Sequence, residues 1–225
     1  MDSNLKPAST VVLIDEKTRV YLTKRPKTMR FLGGYFVFPG GAVEQEDAII
    51  DDYFVINRKE NEDFHAGYYI AAARELFEEV GILLARQDDG HAARLDLGIE
   101  QEYRRQLLAG EISFSSILKQ EKLYFDFNSL TYFGHRITPK QSPIRFDTRF
   151  FIATLPTNQT PRPDDKEIAE AVWMRPETAL NQYKQGKLPL VPPTIDSLET
   201  ILSYENGGEL MMPKQKKQSF PFPLN

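Results

Sequence analysis

The sequence contains no cysteine, which excludes disulfides, zinc–thiolate sites and cysteine nucleophiles and fits a reducing compartment. It also lacks a run of about 18 apolar residues, the length a membrane-crossing helix needs. Residues 1–10 carry no apolar signal core, and the terminal Pro-Leu-Asn is not a peroxisomal address. The expected location is the cytoplasm, with no membrane partner. There is no basic excess: 28 Lys and Arg stand against 32 Asp and Glu, for a net charge of −4. Nucleic acid is therefore not the default partner, whereas a small phosphorylated substrate stays open, because a metal ion can supply positive charge locally. Histidine is scarce. His65, His91 and His135 stand singly, which favours structural over catalytic roles, His135 being the best placed of the three. No internal repeat or low-complexity tract occurs.

What is present is ordinary for a soluble globular protein: 225 residues, 41% hydrophobic and 27% charged, enough to bury a real core. The expected organisation is a single domain over 1–206, with insertions at 45–67 and 97–122, and a tail at 207–225 that is disordered or draped over a neighbour.

In chain order, residues 1–9 are polar and expected to be loose. Residues 10–14 (TVVLI) and 19–23 (RVYLT) read as two strands joined by a turn. Residues 24–34 form a basic, glycine-containing loop in which Arg25 and Arg30 are candidates to hold phosphate oxygens. Residues 35–38 (YFVF) read as a strand and as core rather than as a platform for a base. Gly40 and Gly41 follow, where close backbone approach is possible. Residues 45–67 look like an insertion with a short helix over 47–54. Residues 82–85 read as a strand, 98–108 and 114–120 as helices that either cover a substrate or form a dimer contact. Residues 130–138 and 146–154 read as antiparallel neighbours, and Arg145 and Arg149 on the second are further candidates for phosphate. Residues 169–174 read as a strand carrying the packed Trp173, and 176–184 and 194–204 as helices, the first with Pro at its first position.

The centre of the chain is the stretch 74–82, RELFEEVGI. Glu75, Glu78 and Glu79 share one face of a helix at this spacing, while Ala73, Leu76, Phe77 and Val80 share the opposite one. Gly81 stands where a helix C-cap favours positive φ. An amphipathic helix with a solvated acidic face satisfies this pattern alone; so does a helix that holds a cation.

The combination of Phe38-Pro39-Gly40-Gly41 with Arg74-Glu75-x-x-Glu78-Glu79-x-Gly81-Ile82 resembles the Nudix box of the Nudix hydrolases, and every defined position of the closing part matches. The gap between Gly41 and Arg74 is longer than the family's. The family's intermediate glutamate has no clear counterpart, since Ala66 stands at its offset before Arg74 and Asp47 at its offset after Gly41. The upstream residues Leu22, Thr23, Arg25, Arg30, Gly34, Phe38, Pro39, Gly40, Gly41 and Glu44 are similar to the pattern of the coenzyme A diphosphatase branch, with Tyr21 and Pro26 as departures.

That resemblance implies an α+β fold, the Nudix α/β/α sandwich with a mixed central sheet and extra helical insertions. It implies hydrolysis of the diphosphate of coenzyme A or acyl-coenzyme A with Mg²⁺ or Mn²⁺. Glu75, Glu78 and Glu79 would be metal ligands, Arg74 would orient a carboxylate, and Glu167 or Glu170 would be the distal general base. Arg25, Arg30, Gly40 and Gly41 would bind substrate. Cleavage of another nucleotide such as ADP-ribose, or a domain that binds without catalysis, are the alternatives, and a homodimer is possible.

Overall fold

The computed structural model describes residues 5–59 and 63–215. Expectations for the first four residues, for 60–62 and for the last part of the tail lie outside the described residues. In chain order the elements are β1 (Leu5–Ile14), β2 (Val20–Lys24), β3 (Phe36–Val37), β4 (Gly40–Ala42), β5 (Val55–Ile56), α1 (Gly67–Val80), α2 (Leu97–Leu108), α3 (Phe114–Glu121), β6 (Phe125–Asp126), β7 (Thr131–Ile137), β8 (Arg145–Thr154), β9 (Glu170–Met174), α4 (Pro176–Lys184) and α5 (Pro192–Glu205). No helix among the described residues is long and apolar enough to cross a membrane.

The sheet is mixed, with the order β3-β2-β1-β8-β7, β4 pairing on β1 and β9 on β2. β1 and β8 run parallel in register over their whole length, from Leu5 opposite Arg145 to Ile14 opposite Thr154. For residues 5–9 this corrects the expectation of a loose segment. Their side chains carry little apolar signal, and the ladder to β8 and β4 orders them. The hairpin of β1 and β2 is as expected, with Ile14 opposite Val20, and so is the antiparallel pair β7 and β8.

Alternation along the strands feeds two cores. Val11, Leu13 and Phe151 face α1, α2 and α3, while Val12, Phe133 and Phe150 face α4 and α5. On the first side the Tyr69 ring lies 4.6 Å from that of Phe151 and 5.2 Å from that of Phe127. Burying aromatic side chains of this size contributes about 1.5–3 kcal/mol each. The result is the α/β/α sandwich.

Three local readings are corrected. Residues 47–54 are not one helix but two short 3₁₀ turns, Glu46–Ala48 and Asp52–Phe54, because Asp51 caps the second turn by accepting from the Tyr53 N–H. Residues 82–85 are buried but pair in no named strand; the Leu83 N–H and carbonyl are both bonded by the Gln159 side chain instead. The tail as far as residue 215 is part of the fold. The Met212 N–H donates to Phe133 O at 2.8 Å, and Gln215 bonds both the N–H and the carbonyl of Ile137. Trp173 packs as expected, its ring 4.9 Å from Tyr21.

Met212 is 4% exposed, so its docking makes a measurable claim. Met212→Ala should lower the unfolding free energy by about 2 kcal/mol, seen as a lower urea midpoint at unchanged slope. An unchanged midpoint would show that the tail adds nothing to the fold.

Candidate active site

The acidic helix face is largely buried. Along α1, Arg74, Glu75, Glu78 and Glu79 are all buried, as is the opposite apolar face. The helix starts on Gly67, whose N–H donates to His65 Nδ1 at 3.0 Å. It stops at Gly81, which takes the left-handed conformation (φ 71°) and donates its N–H to Phe77 O, as the glycine at this position favours.

Arg74 organises the buried charges. Its Nε donates to Asp47 Oδ1 at 2.9 Å, Nη1 to Glu75 Oε1 at 2.9 Å and Glu78 Oε2 at 3.0 Å, and Nη2 to Asp47 Oδ2 at 3.0 Å and Ala42 O at 2.8 Å. All the N–H donors of a guanidinium are thus engaged. Asp47 is itself 2% exposed and accepts from the Glu44 N–H. Asp47, at the offset after Gly41 noted in the sequence, thus fixes Arg74. Ala66 only begins the helix.

The glycines bring strand and helix together. A Cβ on Gly41 would sit 2.5 Å from Glu75 Oε1, so only glycine admits the carboxylate there. The Gly40 N–H donates to Glu79 Oε2 at 3.3 Å. Gly40, Gly41, Glu75, Glu79, Glu167 and Arg25 all line one cleft of about 500 Å³, a size suited to a small-molecule site. Its other walls are largely apolar. Phe31 and Phe146, with rings 5.2 Å apart, line it together with Phe38, Phe150 and residues 191–193. Arg136 and Lys214 contribute further positive charge, and Arg136 is held by Asp196 at 2.8 Å. Nothing in the sequence marked Lys214, which reaches the cleft only because the tail docks on β7.

The remaining candidates separate. Arg25 is anchored by its Nε on Phe31 O at 3.0 Å. Arg30 is exposed and does not line the cleft, because the loop turns it outward. Glu170 pairs with Lys24 at the start of β9 and is also outside the cleft. Of the two distal acids only Glu167 reaches it. Arg149 lies over the rings of Tyr68 and Phe64 and, with His135, binds Asp147, on strand positions that alternate away from the cleft-lining Thr148 and Phe150. Arg145 bonds Thr138 O at 3.1 Å.

Burial dominates the electrostatics. It raises the Glu75 carboxyl to about 8 and that of Glu78 to about 7, against the pull of Arg74 on both. Burial, then Glu75 and Glu167, push Glu79 well above the ordinary carboxyl range. Glu167 is raised by burial and by Asp164, with Arg25 opposing. The carboxyl oxygens gathered here are hard donors suited to Mg²⁺ or Mn²⁺. Among the described residues no three acidic or histidine side chains form a ready-made cage, since Glu75 and Glu78 each turn one oxygen onto Arg74.

A family model described as the NUDT19 Nudix domain matches residues 54–201, more than half of the chain. The chain belongs to the Nudix hydrolases. It is 27% identical over 208 residues to "Putative nudix hydrolase 7" of Caenorhabditis elegans, covering 88% of this chain and 61% of that protein. It is 27% identical over 233 residues to "Acyl-coenzyme A diphosphatase NUDT19" of Xenopus laevis, covering 85% of this chain and 61% of that protein. The Nudix chain thus spans only 61% of the length of these curated relatives. A crystal structure of a NUDIX hydrolase from Alicyclobacillus acidocaldarius superposes with a TM-score of 0.77 at 31% identity, over 88% of this chain and 91% of that one. A MutT protein from Methanosarcina mazei, at 15% identity and a TM-score of 0.51 over 92% of this chain and 99% of that one, shares the fold.

Two outcomes follow for the Nudix site. Asp47→Ala leaves the Arg74 charge buried without its main partner and should cost about 3–5 kcal/mol, read by urea unfolding; a loss well under 1 kcal/mol would remove Asp47 from its assigned place. The second concerns pH. A carboxyl whose folded value is raised holds its proton more tightly in the folded state, so its contribution is complete below the unfolded value and is lost as pH rises through the folded one. With chelator present, the melting temperature should therefore fall between about pH 5 and about pH 8.5, and Glu75→Gln should flatten that slope. A melting temperature that rises across this window would contradict the assignment.

Proposed function

We propose that this Nudix domain is a divalent-metal-dependent diphosphatase that cleaves coenzyme A or acyl-coenzyme A to 3′,5′-ADP and phosphopantetheine or its acyl form. The observation that carries the reading is the convergence of Glu75, Glu79, Glu167 and Arg25 on one cleft whose remaining lining is largely apolar. A substrate with a diphosphate at its centre and an organic arm on either side suits such a site. The upstream arginine pattern and the name of the Xenopus laevis relative support the coenzyme A choice.

Glu75 and Glu79 are the principal metal donors and Glu78 a further one. When bound, Mg²⁺ or Mn²⁺ offsets the charge of the diphosphate and lowers the pKa of water. Arg74 holds one oxygen of Glu75 and one of Glu78, which fixes the orientation of both. Arg25 stands beside Glu79 and Glu167 and clamps phosphate oxygens through donors other than the Nε already spent on Phe31 O. Glu167 accepts the proton of the attacking water, and its upward shift makes the carboxylate a stronger base than a free one. Water adds to one phosphorus, the bridging P–O bond breaks, and the leaving phosphate departs with that oxygen. Gly41 contributes the space that lets the Glu75 carboxylate approach β4, and Gly40 offers its N–H to Glu79. A cysteine-free chain suits a reducing compartment such as the cytoplasm.

The test is a turnover panel of coenzyme A, acyl-coenzyme A and ADP-ribose with Mg²⁺ and with Mn²⁺. Coenzyme A or its thioester should be the best substrate; rapid cleavage of ADP-ribose with coenzyme A untouched would assign the site to another nucleotide. Glu79→Gln should reduce turnover by about 100-fold or more, in line with removing a group that stabilises the reacting charge. Unchanged metal-dependent turnover in that variant would end the metal assignment.

A further inference from the structure

We infer that Arg104, on the inserted helix α2, is a positioning residue for the reaction: it locks the carboxylate-bearing turn of α1 to the loop that carries Glu167. The inference rests on the metal-dependent reading above.

An α-helix ends with four carbonyls that lack intrahelical partners. In α1 these belong to Phe77, Glu78, Glu79 and Val80, and each has an identified donor. The Gly81 N–H bonds Phe77 O at 2.9 Å. Arg104 Nε donates to Glu78 O at 3.0 Å and its Nη2 to Glu79 O at 3.2 Å. The Arg162 N–H donates to Val80 O at 2.7 Å, and the Asp164 N–H donates to Glu79 O at 2.8 Å. The guanidinium therefore spans two successive carbonyls of the residues whose side chains face the catalytic work, and its positive charge lies at the negative end of the helix dipole.

The same knot reaches Glu167. Asp164, already bonded to Glu79 O, accepts on its own carbonyl from the N–H groups of Glu167 at 3.2 Å and Ile168 at 2.9 Å. The Glu167 backbone is thus two hydrogen bonds away from the Glu79 carbonyl. Glu100 closes the ring: it is 3% exposed, pairs with Arg104 at 3.6 Å and is bonded by the Arg162 guanidinium. Gly81 makes room for it, since a Cβ there would lie 2.5 Å from Glu100 Oε1. α2 lines no part of the cleft. Its contribution to the reaction is the distance between Glu79 and Glu167.

Arg104→Met keeps the aliphatic stem and removes the donors, Arg104→Lys returns one donor, and Arg162→Gln cuts only the side-chain link through Glu100 at its exposed end. Each is measured for folding by circular dichroism, for Mn²⁺ affinity without substrate by electron paramagnetic resonance, and for kcat and KM with coenzyme A and acyl-coenzyme A. Arg104→Met should lower kcat or Mn²⁺ affinity by about 10–100-fold, the range seen when a partner of a metal-binding side chain is removed, with KM changed less than about twofold. Arg104→Lys should recover part of the loss, and Arg162→Gln should show a smaller loss at nearly unchanged melting temperature. A lower melting temperature in Arg104→Met with kcat and Mn²⁺ affinity both within about twofold of the unsubstituted chain would reduce the knot to a structural support and overturn the inference. Should Arg104→Met not fold, Arg162→Gln decides by the same readouts. If the unsubstituted chain binds Mn²⁺ but cleaves neither compound, the substrate reading fails while the Mn²⁺ measurement still judges Arg104.

Discussion

The burial of one guanidinium sets the terms for everything around it. Arg74 is 4% exposed, and taking such a charge out of water costs several kcal/mol unless its donors are all met. They are met by residues from three separate segments: Asp47 from the turn after β4, Ala42 from β4 itself, and Glu75 and Glu78 from α1. None of these can shift without leaving a buried donor unpaired. β4, the 3₁₀ turn and α1 are therefore locked into one arrangement by a single side chain. The cluster also carries more negative than positive charge, since Asp47, Glu75, Glu78 and Glu79 face one arginine. That excess adds to burial, the main cause, in raising the carboxyls, and it is electrostatically poised for a divalent cation.

The same interaction explains how the family's motif tolerates a long interruption. Asp47 stands near the start of the inserted segment and Arg74 follows its end, yet the two ends meet: a Cβ on Gly67 would lie 3.3 Å from Asp47 O. Closing a longer loop costs little extra once its ends are fixed, because the entropy of closure grows only with the logarithm of length. The insertion leaves the site and returns to it, and the contact that matters spans its base. Aromatic contacts then dress the loop, with Phe54 entering the core beside α1 and Phe64 packing on Tyr68 and Tyr69.

Legibility in the sequence followed the range of the interactions. The helix of 67–80 and its glycine stop were readable because spacing and cap are local, and the pairs β1–β2 and β7–β8 because each is joined by a short connection. The sandwich and the carboxylate set came through the motif. The ordered start of β1 was not readable, since its pairing with β8 joins residues far apart in sequence and leaves no local trace. The same holds for residues 82–85, where the Gln159 side chain bonds the Leu83 N–H and carbonyl and the Ala93 N–H bonds Ala85 O, in place of a strand ladder. The acidic face of α1 looked solvent-facing or metal-facing with equal right; that it is roofed by Asp47 and β4 is a tertiary fact. Arg30 and Glu170 matched a pattern or a position, but matching says nothing about which way a loop turns its side chain.

Glu167 and Glu170 show how little separates a surface acid from one in the cleft. They are three residues apart. Glu170 is the first residue of β9, opposite Lys24 on β2, and its side chain meets that lysine at the surface at 3.1 Å. Glu167 precedes the strand, in a turn whose amides are spent on Asp164 O and whose Asp164 is bonded to the end of α1. The strand fixes one side chain by its ladder, and the turn fixes the other by the helix it is tied to. An acid that must stand at a set distance from α1 is better placed on a segment bonded to α1 than on a strand whose register answers to β2. The placement of Glu167 in the cleft and of Glu170 outside it follows from that division.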